Sequence, residues 1–368
     1  MPKIFNNDAV LDGQNELLFF GKGKRNIQSY IDPKYPFIMD QAEELRAIGN
    51  WSKNEINLIK EKTDFDSLDK AGKHIYESGL KFAIAMDSLA GRGPLALFND
   101  PIVSNNPEWE LYLTNHQNNE LLHSESYTEI IRAIYSNPKE FINSIISDHN
   151  VIDRAHSILK EFASFETFLN EAKVEGQTAK HELYMALITF NMLEGIRFFC
   201  TFATNFSFSE QSPKLMAGSS NIFKLIARDE MIHLKTFQWV INRLRTDSEL
   251  GFVGVTQNAH TAVLNSFSLA YNEEAKFIKY LFKYGSPLLG MNEDILQNYM
   301  DYIFKQRMEA IGVDSRDINI PYIEKNPLPW MRNYLDSSQV KTLPQELEST
   351  SYVNAVDFSD DEITPEDL

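Results

Sequence analysis

Two Glu-x-x-His tetrads, Glu120-Leu121-Leu122-His123 and Glu230-Met231-Ile232-His233, lie inside long segments whose apolar residues recur every three or four positions. On a helix, residues i and i+3 share a face, so each tetrad projects one carboxylate and one imidazole into the same space. That donor pair suits iron or manganese, and zinc less exclusively. One tetrad alone is ordinary. The chain has eight histidines, so about half of one such match arises by chance, and a satisfied core or surface histidine explains it. Asp153-x-x-His156 has a similar spacing but polar neighbours and no further partners, and reads as a surface pair.

Two lone acids change the balance. Asp87 follows the apolar run Phe82-Ala-Ile-Ala-Met86, and Glu194 follows Leu187-Ile-Thr-Phe-Asn-Met-Leu193. A buried carboxylate is costly unless it is paired, protonated or bound to a metal. An ion pair with Arg197 is the structural alternative for Glu194. Four long helices carrying acid, Glu-x-x-His, acid and Glu-x-x-His match the known donor set of ferritin-like di-iron and di-manganese bundles. The expectation is an all-α, ferritin-like helical bundle with a carboxylate-bridged dinuclear metal site in its core. Glu120 and Glu230 would bridge, Asp87 and His123 would complete one metal position, and Glu194 and His233 the other.

Helical periodicity is strongest near 67–91, 108–136, 150–173, 179–209, 214–245, 258–285 and 292–311. Gly91-Arg92-Gly93-Pro94, Asn137-Pro138 and Ser212-Pro213 supply breaks between them. This divides the chain into an N-terminal extended segment (1–35), a helical domain (36–325) and a flexible acidic tail (326–368). The glycines around Phe19-Phe20-Gly21-Lys22-Gly23-Lys24 lack the spacing and ending of a phosphate loop and read as a plain loop. Residues 346–368 hold eight acidic residues and no basic one, yet keep Leu347, Tyr352, Val353, Val356, Phe358, Ile363 and Leu368. Such a segment is disordered alone and suited to docking on a partner.

With 35 basic and 52 acidic residues, the net charge of −17 repels phosphate backbones and argues against a nucleic-acid binder. Cys200 is the only cysteine, which excludes an intramolecular disulfide and a cysteine zinc cluster and fits a reducing, cytoplasmic compartment. The start of the chain lacks the pattern of a secretory signal. No uninterrupted apolar run approaches membrane-spanning length, so no membrane association is expected.

Tyr127 lies four residues after His123 and seven after Glu120, which places all three on one helix face. A buried, hydrogen-bonded core tyrosine is its plain explanation. Beside an oxygen-activating metal pair, a phenol can instead lose one electron and one proton. Phe198 and Phe202 follow Glu194 at intervals of four and share its face. Core packing accounts for them, and they would also shield a tyrosyl radical from water and reductants.

The chain strongly resembles the small, radical-generating subunit of class I ribonucleotide reductase. The matching stretches are Phe19-Phe20-Gly21, Met86-Asp87-Ser88-Leu89-Ala90-Gly91-Arg92, Glu120-Leu-Leu-His123-Ser-Glu-Ser-Tyr127-Thr, Leu193-Glu194-Gly-Ile-Arg197-Phe198, Leu225-Ile-Ala-Arg228-Asp229-Glu230-Met-Ile-His233-Leu, Asn326-Pro-Leu-Pro-Trp330 and the tail Tyr352. They run in order through nearly the whole chain. The residues at Ala90, Glu125, Phe199 and Thr201 depart from frequent choices in the family, and none of them is a proposed ligand.

The resemblance implies two iron ions per chain, with manganese accepted, and O2 as the oxidant that converts Tyr127 to a stable radical. It implies a homodimer, and a large catalytic subunit that docks the C-terminal tail and reduces ribonucleoside diphosphates. By position, Trp51 and Asp229 match the family's radical-transfer tryptophan and its acid partner. Tyr352 and Glu346 match the tail's relay tyrosine and coupling acid. Two other classes of function remain open at this stage. A ferritin-like storage bundle would give Tyr127, Trp51 and Tyr352 no special role, and a stand-alone di-iron oxidase would need no C-terminal peptide.

Overall fold

The three-to-four-residue apolar repeat forms helices throughout the computed structural model, which describes residues 4–6, 16–49, 51–171 and 176–335. In chain order these are α1 (Pro36–Ile48), α2 (Glu61–Ser67), α3 (Lys70–Ala90), α4 (Gly93–Phe98), α5 (Pro107–Ile134), α6 (Pro138–Ser147), α7 (His149–Arg154) and α8 (His156–Asn170). They continue with α9 (Gly176–Met192), α10 (Phe198–Ser209), α11 (Ala217–Thr246), α12 (Val253–Asn258), α13 (His260–Leu281), α14 (Glu293–Ala310) and α15 (Arg332–Leu335). The described residues contain no strand. The all-α, ferritin-like expectation holds.

Local chemistry sets the ends of the long helices. Asp69 caps α3 by accepting from Gly72 N at 2.7 Å, and Asn106 caps α5 by accepting from Trp109 N at 2.8 Å, with Pro107 preset for the first turn. Such caps contribute about 1 kcal/mol each. Helix α3 packs on α5 and α10, and α11 packs on α5, α9 and α10. One end of the core is aromatic, with Phe190 and Phe237 in edge contact at 4.5 Å and Trp109 stacked on Tyr112 at 5.5 Å.

Helices α9 and α10 form one rod interrupted by a π turn, Leu193–Arg197. By length and mean apolarity the stretch Gly176–Ser209 could cross a membrane, although Glu194 and Arg197 interrupt its apolar run. Its most apolar window is wholly buried inside the protein, however, so its apolarity on every side is that of a core helix. The π turn adds one residue per turn and swings Glu194 inward, a distortion often found where a helix carries function. It needs close approach to α11, because a Cβ on Gly195 would meet Leu234 Cδ1 at 2.7 Å.

Arg197 ends the same turn but serves a different network. Its guanidinium meets Glu273 Oε2 at 2.5 Å and Ser157 Oγ at 2.8 Å, and also reaches the Arg154 carbonyl. Arg154 in turn clamps both oxygens of Glu274 at 2.7 Å. No ion pair joins Arg197 to Glu194 among the described residues, so the structural alternative for Glu194 fails.

The described residues before α1 are anchored to the helical body: Ser104 Oγ donates to Leu18 O at 2.7 Å, and Phe19 packs edge-on against Trp109 at 5.7 Å. Residues 326–335 pack on the helical body, with Leu328 and Met331 buried and Tyr334 stacked on Phe206 at 4.0 Å. The compact unit therefore runs to Leu335, ten residues past the boundary expected from the proline-rich stretch. The exposed side chains of Asp153 and His156 agree with a surface pair.

Candidate metal centre

Asp87 on α3, Glu120 and His123 on α5, Glu194 in the π turn, and Glu230 and His233 on α11 converge in the core, each at most 1% exposed. His123 Nδ1 lies 3.6 Å from Asp87 Oδ2, 3.7 Å from Glu120 Oε2 and 3.4 Å from Glu230 Oε1. His233 Nδ1 lies 3.3 Å from Glu120 Oε1, 3.7 Å from Glu194 Oε2 and 3.0 Å from Glu230 Oε2. Glu120 and Glu230 thus each turn one oxygen toward each imidazole. Donor atoms from Asp87, Glu120, His123 and Glu230 fall within 4.8 Å of one another, as do donors from His116, Glu120, Glu194 and His233.

Both oxygens of Asp87, Glu120 and Glu194, Glu230 Oε1 and His123 Nδ1 are buried without a hydrogen-bond partner. Leaving such groups dry and unpaired is expensive, and binding cations is the usual compensation. The donor set, oxygen-rich with imidazole, fits first-row divalent ions. Close helix approach keeps the cluster tight: a Cβ on Gly91 at the end of α3 would come within 3.0 Å of Glu120 Cβ.

The cluster's protons are unevenly held. Burial, then the charges of Glu120 and Glu230, push Asp87 well above the usual carboxylate range, and burial, then Glu230, does the same to Glu194. Burial also opposes charge on Glu230, but the proton on Glu194 and the two imidazoles outweigh it, so Glu230 falls well below that range. Burial likewise opposes charge on the imidazoles, yet Asp229 with Glu120 and Glu230 holds His123 well above its ordinary value, and Glu230 with its neighbours does so for His233. Two cations would displace these shared protons, which makes metal uptake a proton-releasing event.

Beyond the cluster, His123 Nε2 donates to Asp229 Oδ2 at 3.3 Å, and Trp51 Nε1 donates to the same oxygen at 2.9 Å. The indole stacks on the imidazole at 6.4 Å and 23°. Arg228 holds the other oxygen of Asp229 at 3.0 Å. Against its burial, His123, Arg228 and Trp51 keep the Asp229 carboxyl below its ordinary pKa. Trp51 is only half-buried, so this chain of contacts leads from the core toward the surface.

Tyr127 is 1% exposed, and its hydroxyl has no hydrogen-bond partner. Burial and then the Asp87 charge push the phenol well above its ordinary pKa, so it stays protonated. Its ring faces Phe223 at 5.6 Å, and Phe202 meets Phe223 at 6.1 Å and stacks on Phe198 at 5.9 Å behind it.

His116 stands outside the Glu-x-x-His pattern. It is 1% exposed, and its Nε2 lies 3.6 Å from Glu120 Oε1. Burial and then His233 hold its pKa well below the ordinary value, so the ring is neutral. The signal was present: His116 stands four residues before Glu120 and shares its face. Tyr352 and Glu346 lie outside the described residues.

Fold and site together define a helical bundle enclosing a paired cluster of carboxylates and imidazoles suited to two metal ions. A family profile described as "Ribonucleotide reductase, small chain" matches residues 28–316. "Ribonucleoside-diphosphate reductase subunit beta" from Buchnera aphidicola subsp. Schizaphis graminum is 37% identical over 355 residues, covering 92% of this chain and 91% of that protein. "Ribonucleoside-diphosphate reductase 1 subunit beta" from Salmonella typhimurium is 34% identical, covering 97% and 96%. The "Ribonucleotide reductase R2 subunit from Clostridium botulinum" shares the fold, with a TM-score of 0.76 at 21% identity over 90% of this chain and 98% of that one. The chain belongs to the small-subunit family of class I ribonucleotide reductase. Its activity is that of a ribonucleoside-diphosphate reductase small subunit, and membership implies pairing with a large subunit.

Proposed function

We propose that this chain holds two iron ions, accepts manganese in their place, and uses O2 to convert Tyr127 into a stable radical for export to the large subunit. The observation that carries this reading is the division of the Glu120 and Glu230 oxygens between two imidazoles. Glu120 and Glu230 would each offer one oxygen to either ion, with Asp87 and His123 holding one and Glu194 and His233 the other. When bound in reduced form, the pair supplies electrons to O2 and the oxidising power that acts on the nearby phenol.

The chain's own residues do the rest. Tyr127 gives up one electron and its phenolic proton, which Asp87, whose charge acts most strongly on that hydroxyl, would accept once bound cations keep its carboxyl ionised. The rings of Phe198, Phe202 and Phe223 exclude water and small reductants from the resulting radical. His123, Asp229 and Trp51 form the conduit for the oxidising equivalent, with Asp229 fixing the imidazole and the indole through one oxygen. The acidic tail docks on the large subunit, with Tyr352 continuing the relay and Glu346 coupling it. The chain acts as a homodimer in the cytoplasm.

Anaerobic loading with Fe(II), then exposure to O2, tests this by electron paramagnetic resonance. The wild-type chain should give a tyrosyl signal, and Tyr127→Phe should lose it while keeping its metal. An unchanged radical in the variant would reject the assignment.

A further inference from the structure

His116, Glu120, His123 and Tyr127 form one stripe along α5, within about 60° of one another at 100° per residue. Three of these are accounted for above, and His116 is not. Its Nε2 is buried without a hydrogen-bond partner. Around the ring stand His233 at 4.1 Å, Phe190 at 5.6 Å, Phe237 at 6.0 Å and Tyr112 at 6.2 Å. This setting would suit a phenylalanine. A nitrogen placed there bears a desolvation cost that packing does not return.

We propose that His116 is a seventh protein ligand, with Nε2 bound to the same ion as Glu194 and His233, a reading that rests on the two-ion proposal above. Donors each about 2.1 Å from one ion lie roughly 3.0 Å apart at a right angle and 4.2 Å apart when opposed. His116 Nε2 to Glu120 Oε1 is 3.6 Å, His233 Nδ1 to Glu120 Oε1 is 3.3 Å, and His233 Nδ1 to Glu194 Oε2 is 3.7 Å, all inside that window. The two positions are then chemically unequal. The Asp87 position offers one nitrogen and three carboxylates, whereas the Glu194 position offers two nitrogens. Added imidazole shifts preference toward iron over manganese, so the Glu194 position is the more iron-selective of the two.

Two measurements decide this, neither depending on activity. In crystals of the wild-type chain loaded with Mn(II), anomalous scattering locates both ions, and His116 Nε2 should stand within about 2.3 Å of the one beside Glu194. Two ions with Nε2 more than about 3 Å from either would overturn the seventh ligand and leave the two-ion reading intact. Fewer than two ions would overturn both. In anaerobic Fe(II) titration, His116→Phe should weaken the ion at the Glu194 position roughly tenfold or more and leave the other unchanged. Two unchanged affinities in that variant would also overturn the proposal, and if it does not fold, the wild-type crystal decides alone.

Discussion

Replacing Glu194 by Gln separates a metal ligand from a structural acid. In the metal-free chain seven carboxylate oxygens of the cluster have no hydrogen-bond partner: two each on Asp87, Glu120 and Glu194, and one on Glu230. A buried, unsatisfied polar group costs about 1–3 kcal/mol. Gln keeps the shape of Glu194, and its uncharged amide replaces a carboxyl that burial and Glu230 already hold protonated. Arg197 is engaged by Glu273 and Ser157, so no cation is orphaned by the change. The metal-free variant should therefore be more stable than wild type by about 1–3 kcal/mol at neutral pH.

The pH dependence follows from the sign of the shift. Burial and Glu230 raise Glu194, so its folded pKa exceeds its unfolded one. Such a group lowers stability above the unfolded pKa, and the penalty fades as pH falls and both states become protonated. The advantage of Gln should shrink toward zero near about pH 4. With metal the order reverses. Each ion present at a hundredfold excess over its Kd stabilises the fold by about 2.7 kcal/mol, and the variant should lose one such contribution. Scanning calorimetry of both proteins, with and without Mn(II), at neutral and acid pH reads all of this. A metal-free variant less stable than wild type by more than about 2 kcal/mol, with its metal-induced gain intact, would make Glu194 a structural acid and refute the reasoning.

Arg154→Ala leaves Glu274 buried without its clamp and should cost about 3–5 kcal/mol in urea unfolding of the metal-free chain; a loss below about 1 kcal/mol would mean that water or Arg197 replaces it. Trp51→Phe removes only the donor to Asp229, so metal content and the tyrosyl signal should persist, while turnover with the large subunit should fall roughly 10–100-fold. Undiminished turnover would take Trp51 out of the transfer path.

Much of this site was legible because helical spacing is a strong constraint. Asp87, Glu120, His123, Glu230 and His233 lie on regular helices, so their shared faces follow from position alone. Glu194 was legible as a lone acid in an apolar run, but the π turn that aims it was not. That extra residue leaves no compositional mark beyond Gly195, and it is stabilised by distant contacts with α11 and α14. Arg197 misled for the same reason: three residues from Glu194 it reads as a partner, whereas the turn sends it to Glu273 and Glu274 on α13. His116 was overlooked because the Glu-x-x-His template extends only forward from its glutamate, although a neighbour four residues earlier is equally close. The contact of Trp51 with Asp229 spans 178 positions, and only the family resemblance suggested it. The short helices α2, α4, α7 and α12 run for two turns or fewer and carry too few apolar repeats to register.

The central claim is that two metal ions sit side by side, joined by Glu120 and Glu230. Anaerobic titration of the wild-type chain with Mn(II), followed by metal analysis and electron paramagnetic resonance, tests it most directly. Two ions per chain and an exchange-coupled multiline spectrum are predicted, because shared carboxylates bring the spins into contact. One ion per chain, or two with the simple hyperfine pattern of isolated Mn(II), would contradict it.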